Sequence, residues 1–322
     1  MSKLIVTVGL PGSGKSYVAK EYFSFAMHIS SDNIREEIYG DANCQDDPVT
    51  VFRIMFERTI AALREGKDVV YDATNLVSSR RKALVSAVKM SVPEVECVCL
   101  IITTTITECK RRQELRERKV PDEVIERMAR QFQVPYFHEG WDSIYLHSNG
   151  PKQNIAREHE RLMTTAHDNP HHTTGSIESH CVRALSAMTD LSTVYAELGR
   201  GMLKEVPEVW RMLKEAVYHH DIGKRKAKVF HDAKGRQSEI AHYYNHENIG
   251  AYLWLSGDMQ EQGEWDDWSF LTIALLIQLH MMPYAFPNKS DEELIKWCNN
   301  KGYEAFVATL VWLIHEADLS AH

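Results

Sequence analysis

Short apolar runs alternate with amphipathic stretches through the first half of the chain. The runs at residues 4–8, 68–72 and 95–104 have the length and composition of buried strands, and a last run at 143–147 would add one more. The stretches between the runs place apolar residues at helical spacing. Strands that alternate with helices predict a parallel sheet with helices on both faces.

The helices predicted in this half are short and mostly charged on one side. Residues 29–40 indicate the end of a strand followed by a capped helix. The other predicted helices lie at residues 16–25, 56–66, 80–90, 107–118 and 121–132.

The pattern changes at a turn-rich segment, residues 147–154. Beyond this segment apolar residues recur at helical spacing nearly throughout. We therefore predict two domains, at residues 1–150 and 151–322: an α/β domain with a parallel sheet, and an all-α domain. A length of 322 residues agrees with two domains.

Composition narrows the class of protein. Apolar residues make up 44% of the chain, which is enough to bury two cores. The longest apolar run, near residues 270–279, is much shorter than the about 20 residues that span a membrane, and the N-terminal run lacks the features of a signal peptide. Six cysteines form no CxxC pair, which favours a reduced compartment. We expect a soluble, cytoplasmic protein with no membrane partner.

Charge and histidine are distributed unevenly. The net charge is −8; residues 1–150 carry 20 Lys and Arg against 21 Asp and Glu, whereas residues 151–322 carry 17 against 24. Of the 16 histidines, 13 follow residue 150. A site for several cations would produce an acidic, histidine-rich half, and a solvated acidic surface with scattered histidines remains the alternative.

Residues 9–16, "GLPGSGKS", fit the motif GxxxxGK[ST] between a predicted strand and a predicted helix. In this motif backbone N–H groups and a helix N-terminus hold phosphate oxygens, the lysine reaches the β and γ phosphates, and the hydroxyl ligates Mg²⁺. The motif predicts binding of ATP, or another NTP, with Mg²⁺. The predicted cofactor-binding residues are Gly9, Gly12, Ser13, Gly14, Lys15 and Ser16, of which Lys15 is also a catalytic candidate and Ser16 a metal ligand.

Two polar segments are candidates for the acceptor side of this site. In "DNIR", Asp32 and Arg35 are three residues apart and share a helical face, so that the first could accept a proton and the second hold a phosphate. In "DATN", three polar residues follow a predicted strand, where ligands of open α/β sheets bind: Asp72, Thr74 and Asn75. The alternatives are a solvated first helical turn and a plain Asp/Asn turn.

Residues 109–119 carry six Lys or Arg. Arg112 and Arg116 are four residues apart, which predicts one helical face that closes over the phosphates as a lid. A solvated basic helix is the alternative.

Together these motifs, with "QFQVPYFHEGWDSIY" behind them, resemble the phage-type polynucleotide 5′-kinase family over residues 1–147. The resemblance implies that Asp32 is the general base, that Arg35 clamps phosphate, and that Arg116 is the lid arginine, with Arg112 one turn earlier. Small-metabolite kinases share the loop and the lid. The pair "DNIR" and "DATN" favours a polynucleotide hydroxyl as the acceptor.

The second half contains "AVYHHDIGK", in which His220 and Asp221 are adjacent. Imidazole and carboxylate together suit Mn²⁺, Fe, Co, Ni or Zn. Two of the further candidates, His280 and Asp318, follow helices apolar enough to be core, where a polar group must be paired or ligating. The remaining candidates are His180 and His246, and satisfied core histidines are the alternative for all of them.

Over residues 170–320 this half resembles the HD superfamily of metal-dependent phosphohydrolases. The resemblance implies two metals, with Asp221 as the bridging ligand and with Lys224 at the substrate phosphate. His242 lies four residues before His246 and is predicted on the same helical face. The residues "HENIGA" match the motif of that superfamily and therefore select His246 as the ligand. His219, His242 and His315 are set aside, and His171 and His172 are candidates for the lining of the site. The implied ligands are His180, His220, Asp221, His246, His280 and Asp318.

A kinase joined to a phosphohydrolase suits a broken RNA, whose ends carry a 5′-OH and a 2′,3′-cyclic phosphate. The resemblances imply an end-healing enzyme that acts on RNA ends, such as those of nicked tRNA, before a separate RNA ligase. Three alternatives remain open. They are a metabolite or nucleoside kinase fused to a nucleotidase, a kinase fused to a cyclic-nucleotide phosphodiesterase, and a non-catalytic RNA-binding module.

Overall fold

A computed structural model describes residues 1–117, 119–169, 175–198, 207–257, 265–286, 288 and 290–321, without the side chains of 189–198 and 207. The chain divides into two compact units. The first comprises Met1–Met128 and Pro135–Pro151, and the second comprises Ala129–Val134 and Lys152–His322. The division differs from the predicted boundary in assigning Ala129–Val134 to the second unit.

The first unit is built on a parallel sheet of five strands in the order β2-β3-β1-β4-β5. The central strand β1 pairs in parallel with β3 and β4, since Ile5 lies opposite Val70 on one side and Val98 on the other. Its buried side chains explain why the opening run is almost continuously apolar. The strands are β1 Lys3–Val8, β2 Met27–Ser30, β3 Val69–Asp72, β4 Glu96–Ile102 and β5 Ser143–His147.

Helices connect these strands. Asp47 caps α3 by accepting from the Thr50 backbone N–H, and Pro48 begins the helix, so this helix starts eight residues before its predicted start. A short 3₁₀ turn, Phe137–Glu139, precedes β5. The helices are α1 Lys15–Tyr22, α2 Ser31–Tyr39, α3 Pro48–Arg64, α4 Ser78–Ser91, α5 Ile106–Glu114 and α6 Asp122–Arg130.

The prediction of one helix over residues 107–118 is wrong at its C-terminal end. Helix α5 ends at Glu114, so Arg116 lies beyond the helix and shares no helical face with Arg112. The Gln113 side chain accepts from the Val120 backbone N–H at 3.1 Å, and Pro121 disfavours a helical Val120. The chain therefore turns before the basic run is complete.

The second unit is helical except for one antiparallel strand pair, within the described residues. This pair, β6 Val229–His231 and β7 Gln237–His242, corrects the prediction of an all-α domain. An Asp-x-x-Gly turn joins the strands, with Gly235 at φ +79°. The helices are α7 Ile155–Met163, α8 Ile177–Leu198, α9 Pro207–His219, α10 Lys224–Ala227, α11 His246–Leu255, α12 Asp267–Leu279, α13 Asp291–Lys301 and α14 Ala305–Leu319.

Helix α12 forms the centre of this unit. It packs against α9, α11 and α14, and its residues from Ser269 to Leu279 are all buried. The segment Asp267–Ala285 is long and apolar enough to cross a membrane by composition, but 72% of its most apolar window is buried inside the protein. A helix that is apolar all round and surrounded by others is a core helix.

Candidate functional site

The GxxxxGK[ST] loop connects β1 to α1 in the first unit. Gly12 has φ +82°, and a Cβ there would lie 2.5 Å from the Cys109 backbone oxygen, so glycine is required both for backbone conformation and for space. Gly14 is also left-handed, at φ +96°, and α1 begins directly after it. The loop therefore ends at a helix N-terminus, where backbone N–H groups favour an anion.

Lys15 is the first residue of α1 and is buried. Its ammonium donates to the Leu10 backbone oxygen at 2.8 Å, inside the loop. Burial lowers the pKa of Lys15, although the nearby Asp72 carboxylate opposes this shift. A phosphate in the loop would give this desolvated ammonium a charged acceptor in place of a carbonyl.

Asp72 ends β3 beside the loop. Its carboxylate accepts from the Ser16 hydroxyl at 2.6 Å and from the Thr7 hydroxyl at 3.2 Å, and it lies 2.9 Å from His28 Nε2. Burial alone would raise the pKa of Asp72, but His28 and Lys15 hold it below its ordinary value. An ionised carboxylate in contact with the loop hydroxyl is a suitable pair of oxygen ligands for Mg²⁺.

Asp32 and Arg35 are adjacent on the first turns of α2. Ser30 caps this helix, and Arg35 Nη1 donates to Asp32 Oδ1 at 3.0 Å. Arg35 is buried, whereas the Asp32 side chain is 53% exposed. Arg35 Nε is buried without a hydrogen-bond partner among the described residues, so this guanidinium still has a donor to offer.

The "DATN" turn is held by its backbone and by Asn75. Asn75 has φ +47°, and its side-chain amide donates to the Thr7 backbone oxygen at 2.8 Å. The Thr74 backbone oxygen accepts from the Gly9 N–H at 3.1 Å, which ties this turn to the start of the phosphate loop. The turn and the loop are therefore one connected structure.

A buried ion pair supports the same turn. Arg81 on α4 donates to both Glu139 oxygens, at 2.6 and 2.7 Å, and to the Asn75 backbone oxygen at 2.8 Å. Trp141 Nε1 also donates to Glu139, at 2.9 Å. This arrangement explains the "HEGW" segment of the sequence, whose role sequence reasoning left open.

Arg112 on α5 is half-buried and contacts the backbone of the loop. It donates to the Ser13 backbone oxygen at 3.2 Å and to the Asn149 backbone oxygen at 2.7 Å, and Glu108 holds its Nε at 2.7 Å. Arg116 is exposed, and its charge lowers the pKa of Lys15 as a minor contribution after burial. The two arginines that the sequence grouped together therefore lie in different environments.

In the second unit, Asp221 lies at the centre of a buried cluster of imidazoles. His180 on α8, His220 after α9 and Asp221 form one group of metal-ligating atoms, all within 4.8 Å of one another. Asp221, His246 at the start of α11 and His280 at the end of α12 form a second such group. Asp221 belongs to both groups, so two cations could share it.

Asp318 on α14 completes the cluster on the side of His180. Its Oδ1 lies 2.8 Å from His180 Nε2 and 3.5 Å from His220 Nε2, and Tyr284 donates to its Oδ2 at 2.8 Å. All six predicted ligands are therefore together in one buried place.

Three of the rings are oriented in the same way. The Nδ1 atom of each bonds to the backbone oxygen three residues earlier: His220 at 2.7 Å, His246 at 2.9 Å and His280 at 2.7 Å. The Nε2 atoms face Asp221, at 3.3, 3.2 and 3.9 Å. A backbone bond to one ring nitrogen is how proteins fix the tautomer of a metal-ligating histidine.

The electrostatics of the cluster fit a cation. Both Asp221 oxygens and His220 Nε2 lack a well-oriented hydrogen bond within the described part of the chain. Burial would lower the pKa of His220, but Asp221 and Asp318 raise it to about 10, and burial with the neighbouring rings lowers the pKa of His280 to about 3. Buried imidazoles that surround carboxylates suit divalent metals that prefer nitrogen and oxygen ligands.

Gly223 and Lys224 follow Asp221 and shape the cluster. A Cβ on Gly223 would lie 2.0 Å from the His246 backbone oxygen, so glycine alone allows this turn to approach α11. Lys224 Nζ is 2.6 Å from Asp221 Oδ2, and its side chain is buried. The ammonium and the central carboxylate therefore form a buried ion pair.

Two comparisons with known proteins bear on this chain. The family described as "AAA domain" matches residues 4–135. Over 148 residues the chain is 27% identical to L-seryl-tRNA(Sec) kinase of Methanococcus maripaludis, in a match that covers 43% of this chain and 56% of that protein. The matched part thus spans little more than half of that relative.

The first unit is a P-loop domain of kinase type. It contains the loop, the Ser16–Asp72 contact and the parallel sheet that this type of domain requires. Sequence reasoning missed His28, which precedes "ISSDNIR" and touches Asp72; the signal was its place on a strand beside β3.

In the second unit, sequence reasoning missed His167. Its ring is buried and lies 5.4 Å from the His180 ring. His171 and His172, the neighbours that the sequence suggested instead, lie outside the described residues.

The histidines that were set aside make other contacts. His242 ends β7 rather than sharing a helix with His246, which corrects that prediction, and its Nε2 lies 3.2 Å from the Ser238 hydroxyl. His219 bonds to His159 at 2.6 Å, and His315 packs edge-on against Tyr284 at 4.6 Å.

Proposed function

We propose that this protein is a bifunctional RNA end-healing enzyme. The kinase-type unit would phosphorylate a 5′-hydroxyl, and the His/Asp cluster would remove a 2′,3′-cyclic, 2′- or 3′-phosphate. The observation that carries the proposal is that one chain holds both a P-loop kinase-type domain and a buried cluster suited to two divalent cations. An activity that adds a phosphate and an activity that removes one suit an RNA whose 5′ end lacks a phosphate and whose other end carries one.

The kinase half would use ATP with Mg²⁺. Ser16 and Asp72 would hold the magnesium ion, and Lys15 would leave the Leu10 carbonyl to bind the β and γ phosphates. Asp32 would take the proton of the attacking hydroxyl, since its carboxylate is exposed beside the buried Arg35 guanidinium.

Arg35 would hold the phosphate next to the attacking hydroxyl, because its buried Nε retains a donor. Arg116 would neutralise charge on the transferred group from its exposed turn. Arg112 would position the loop through its bonds to the Ser13 and Asn149 carbonyls.

The phosphoesterase half would bind two divalent metals, from among Mn, Ni, Co, Fe and Zn, through His180, His220, His246, His280, Asp318 and the shared Asp221. When bound, these metals would polarise the phosphoryl group and activate water. Lys224 would pair with a phosphate oxygen, and Tyr284 would hold Asp318 in its orientation. The buried walls of the cluster would exclude bulk water.

The proposal includes RNA ends, such as those of nicked tRNA, as substrates and a separate RNA ligase as the next enzyme. It also includes a reduced, cytoplasmic compartment, because all six cysteines are free.

A second candidate acceptor is the seryl hydroxyl of an aminoacylated tRNA. The similarity to L-seryl-tRNA(Sec) kinase favours it. Both candidates place an aliphatic hydroxyl on an RNA at the carboxyl ends of β2 and β3, near Asp32. They differ in whether the hydroxyl belongs to ribose or to serine.

The test uses an RNA oligonucleotide with a 5′-OH and a 2′,3′-cyclic phosphate, together with ATP, Mg²⁺ and Mn²⁺, and weighs the product by mass spectrometry. Gain of a 5′-phosphate with loss of the 3′-terminal phosphate supports end healing. Phosphorylation of seryl-tRNA in a parallel reaction, without 5′ phosphorylation of RNA, would replace the first candidate by the second. Turnover of free nucleosides alone would contradict both.

A further inference from the structure

A cavity of about 380 Å³ lies in the second unit, directly beside the His/Asp cluster. Of its lining residues, His246 belongs to the cluster and Lys224 contacts Asp221 Oδ2 at 2.6 Å, so the cavity and the metal-ligating residues are contiguous. Its volume falls in the range of small-molecule sites, roughly 300 to 1,000 Å³. A substrate whose phosphate reached the cluster would place its neighbouring group here.

The rest of the lining is rich in flat rings. Tyr243, Tyr244 and His242 all line the cavity, and the rings of Tyr244 and His242 are parallel, with 5.4 Å between centroids and 4° between planes. His231 on β6 extends this stack, at 6.4 Å from Tyr244. A ledge of parallel rings is the kind of surface on which a nucleobase stacks.

The charged residues that line the cavity restrict which ligand fits it. Lys224 is the single lysine or arginine among the residues that line the cavity in the described part of the chain, and Glu247 brings one negative charge. Beyond the metals that the cluster would hold, the additional phosphates of a nucleoside triphosphate would find only one lysine or arginine, Lys224, in the described lining. A neutral base with one phosphate at the cluster fits this balance.

Tyr243 lines the same cavity. Lys224 Nζ lies 5.5 Å from the centre of the Tyr243 ring, so the lysine and the aromatic part of the lining are close together.

We infer that this cavity is a subsite for the base of the terminal nucleoside, stacked on Tyr244 and His242, whose phosphate lies at the His/Asp cluster. The inference rests on the proposed phosphoesterase function. It makes the enzyme selective for a phosphate that is attached to a nucleoside, rather than for phosphoesters in general. The hairpin β6–β7, absent from the predicted all-α domain, carries His242 at its end, and Tyr244 follows two residues later.

The test compares two oligoribonucleotides that end in a 3′-phosphate, one on adenosine and one on an abasic ribose, with Mn²⁺-loaded full-length protein. Base stacking contributes about 5- to 160-fold to affinity, so we expect kcat/KM to favour the adenosine end by a factor in that range. Tyr244→Ala should remove this preference, and Tyr244→Trp should keep it. Phe230→Ala, an exposed ring on the same hairpin that is outside the lining, is the matched control and should keep the preference.

Equal kcat/KM for the two ends, or an equal loss on both ends in Tyr244→Ala, would overturn the subsite while leaving the phosphoesterase intact. If neither end is hydrolysed, the proposed function fails, and binding then decides the subsite. Adenosine 3′-monophosphate and ribose 3-phosphate are titrated calorimetrically in that case. Tighter binding of the adenosine compound that is lost in Tyr244→Ala supports the subsite, and equal or absent binding rejects it.

Discussion

Replacing Arg81 by methionine should destabilise the first unit strongly. Arg81 is 1% exposed, and its guanidinium makes two bonds to Glu139, which is also 1% exposed, and one to the Asn75 backbone oxygen. The variant would leave the Glu139 carboxylate buried with the Trp141 indole as its remaining donor in the described contacts. Removing one partner of such a pair costs about 3 to 5 kcal/mol in the free energy of unfolding.

The assay is urea unfolding followed by the fluorescence of Trp141, the one tryptophan of the sequence before residue 150. The six later tryptophans are replaced by phenylalanine in all proteins compared, so that the signal reports the first unit. With an m value of about 2 kcal/mol per molar urea, the expected loss moves the midpoint down by about 2 M. Arg80→Met, an exposed neighbour on α4, is the control and should change stability by less than about 0.5 kcal/mol.

The double variant Arg81→Met, Glu139→Leu separates a buried unpaired charge from lost packing. Two apolar side chains of similar volume remove the orphaned carboxylate, so the double variant should recover most of the loss. A double variant as unstable as Arg81→Met, or a single variant as stable as the control, would refute the reasoning. Because Arg81 also holds the Asn75 turn, we expect the double variant to fold and still lose kinase activity.

The other predictions concern the two sites. Lys15→Ala should abolish 5′ phosphorylation and spare 3′ processing, and Asp221→Ala should do the reverse; loss of both activities in either folded variant would contradict independent sites. Asp221→Ala should also lose bound metal in mass spectrometry of the purified protein, whereas His242→Ala should retain it, because His242 lies outside the cluster. Gly223→Ala should cost about 1 to 3 kcal/mol or more in thermal unfolding, since its Cβ meets a backbone oxygen at 2.0 Å; an unchanged melting temperature would show that the turn can shift.

Much of the candidate site could be predicted because its residues belong to short motifs. The loop at residues 9–16 fixes its own conformation through glycines, and "HHDIGK" places a histidine, an aspartate and a lysine on adjacent turns. The helices that carry His280 and Asp318 are so apolar that a buried polar residue at their ends had to have a partner. These are local signals that need no knowledge of the tertiary fold.

Other features depended on contacts between distant segments. The length of α5 depended on Pro121 and on the hydrogen bond that the Val120 backbone N–H donates to the Gln113 side chain, which a helical pattern does not reveal. The hairpin β6–β7 escaped prediction because its strands have three and six residues and little apolar alternation. The role of Glu139 became visible only when Arg81, 58 residues earlier, was found beside it.

The sequence by itself determined the kinase-type loop, the order of strands and helices around it and the identities of the histidines and carboxylates that meet in the second unit. The loop follows from backbone conformation and the order of elements from hydrophobic periodicity, which are properties of neighbouring residues. The full set of ligands, with His246 rather than His242, followed from a family resemblance in the sequence. Only the tertiary structure decided that Asp72 touches Ser16, that Asp221 lies between two groups of imidazoles, and that Tyr244 and His242 form a ledge beside them. Distances between side chains far apart in the chain are set by how helices and strands pack, and no local pattern encodes them.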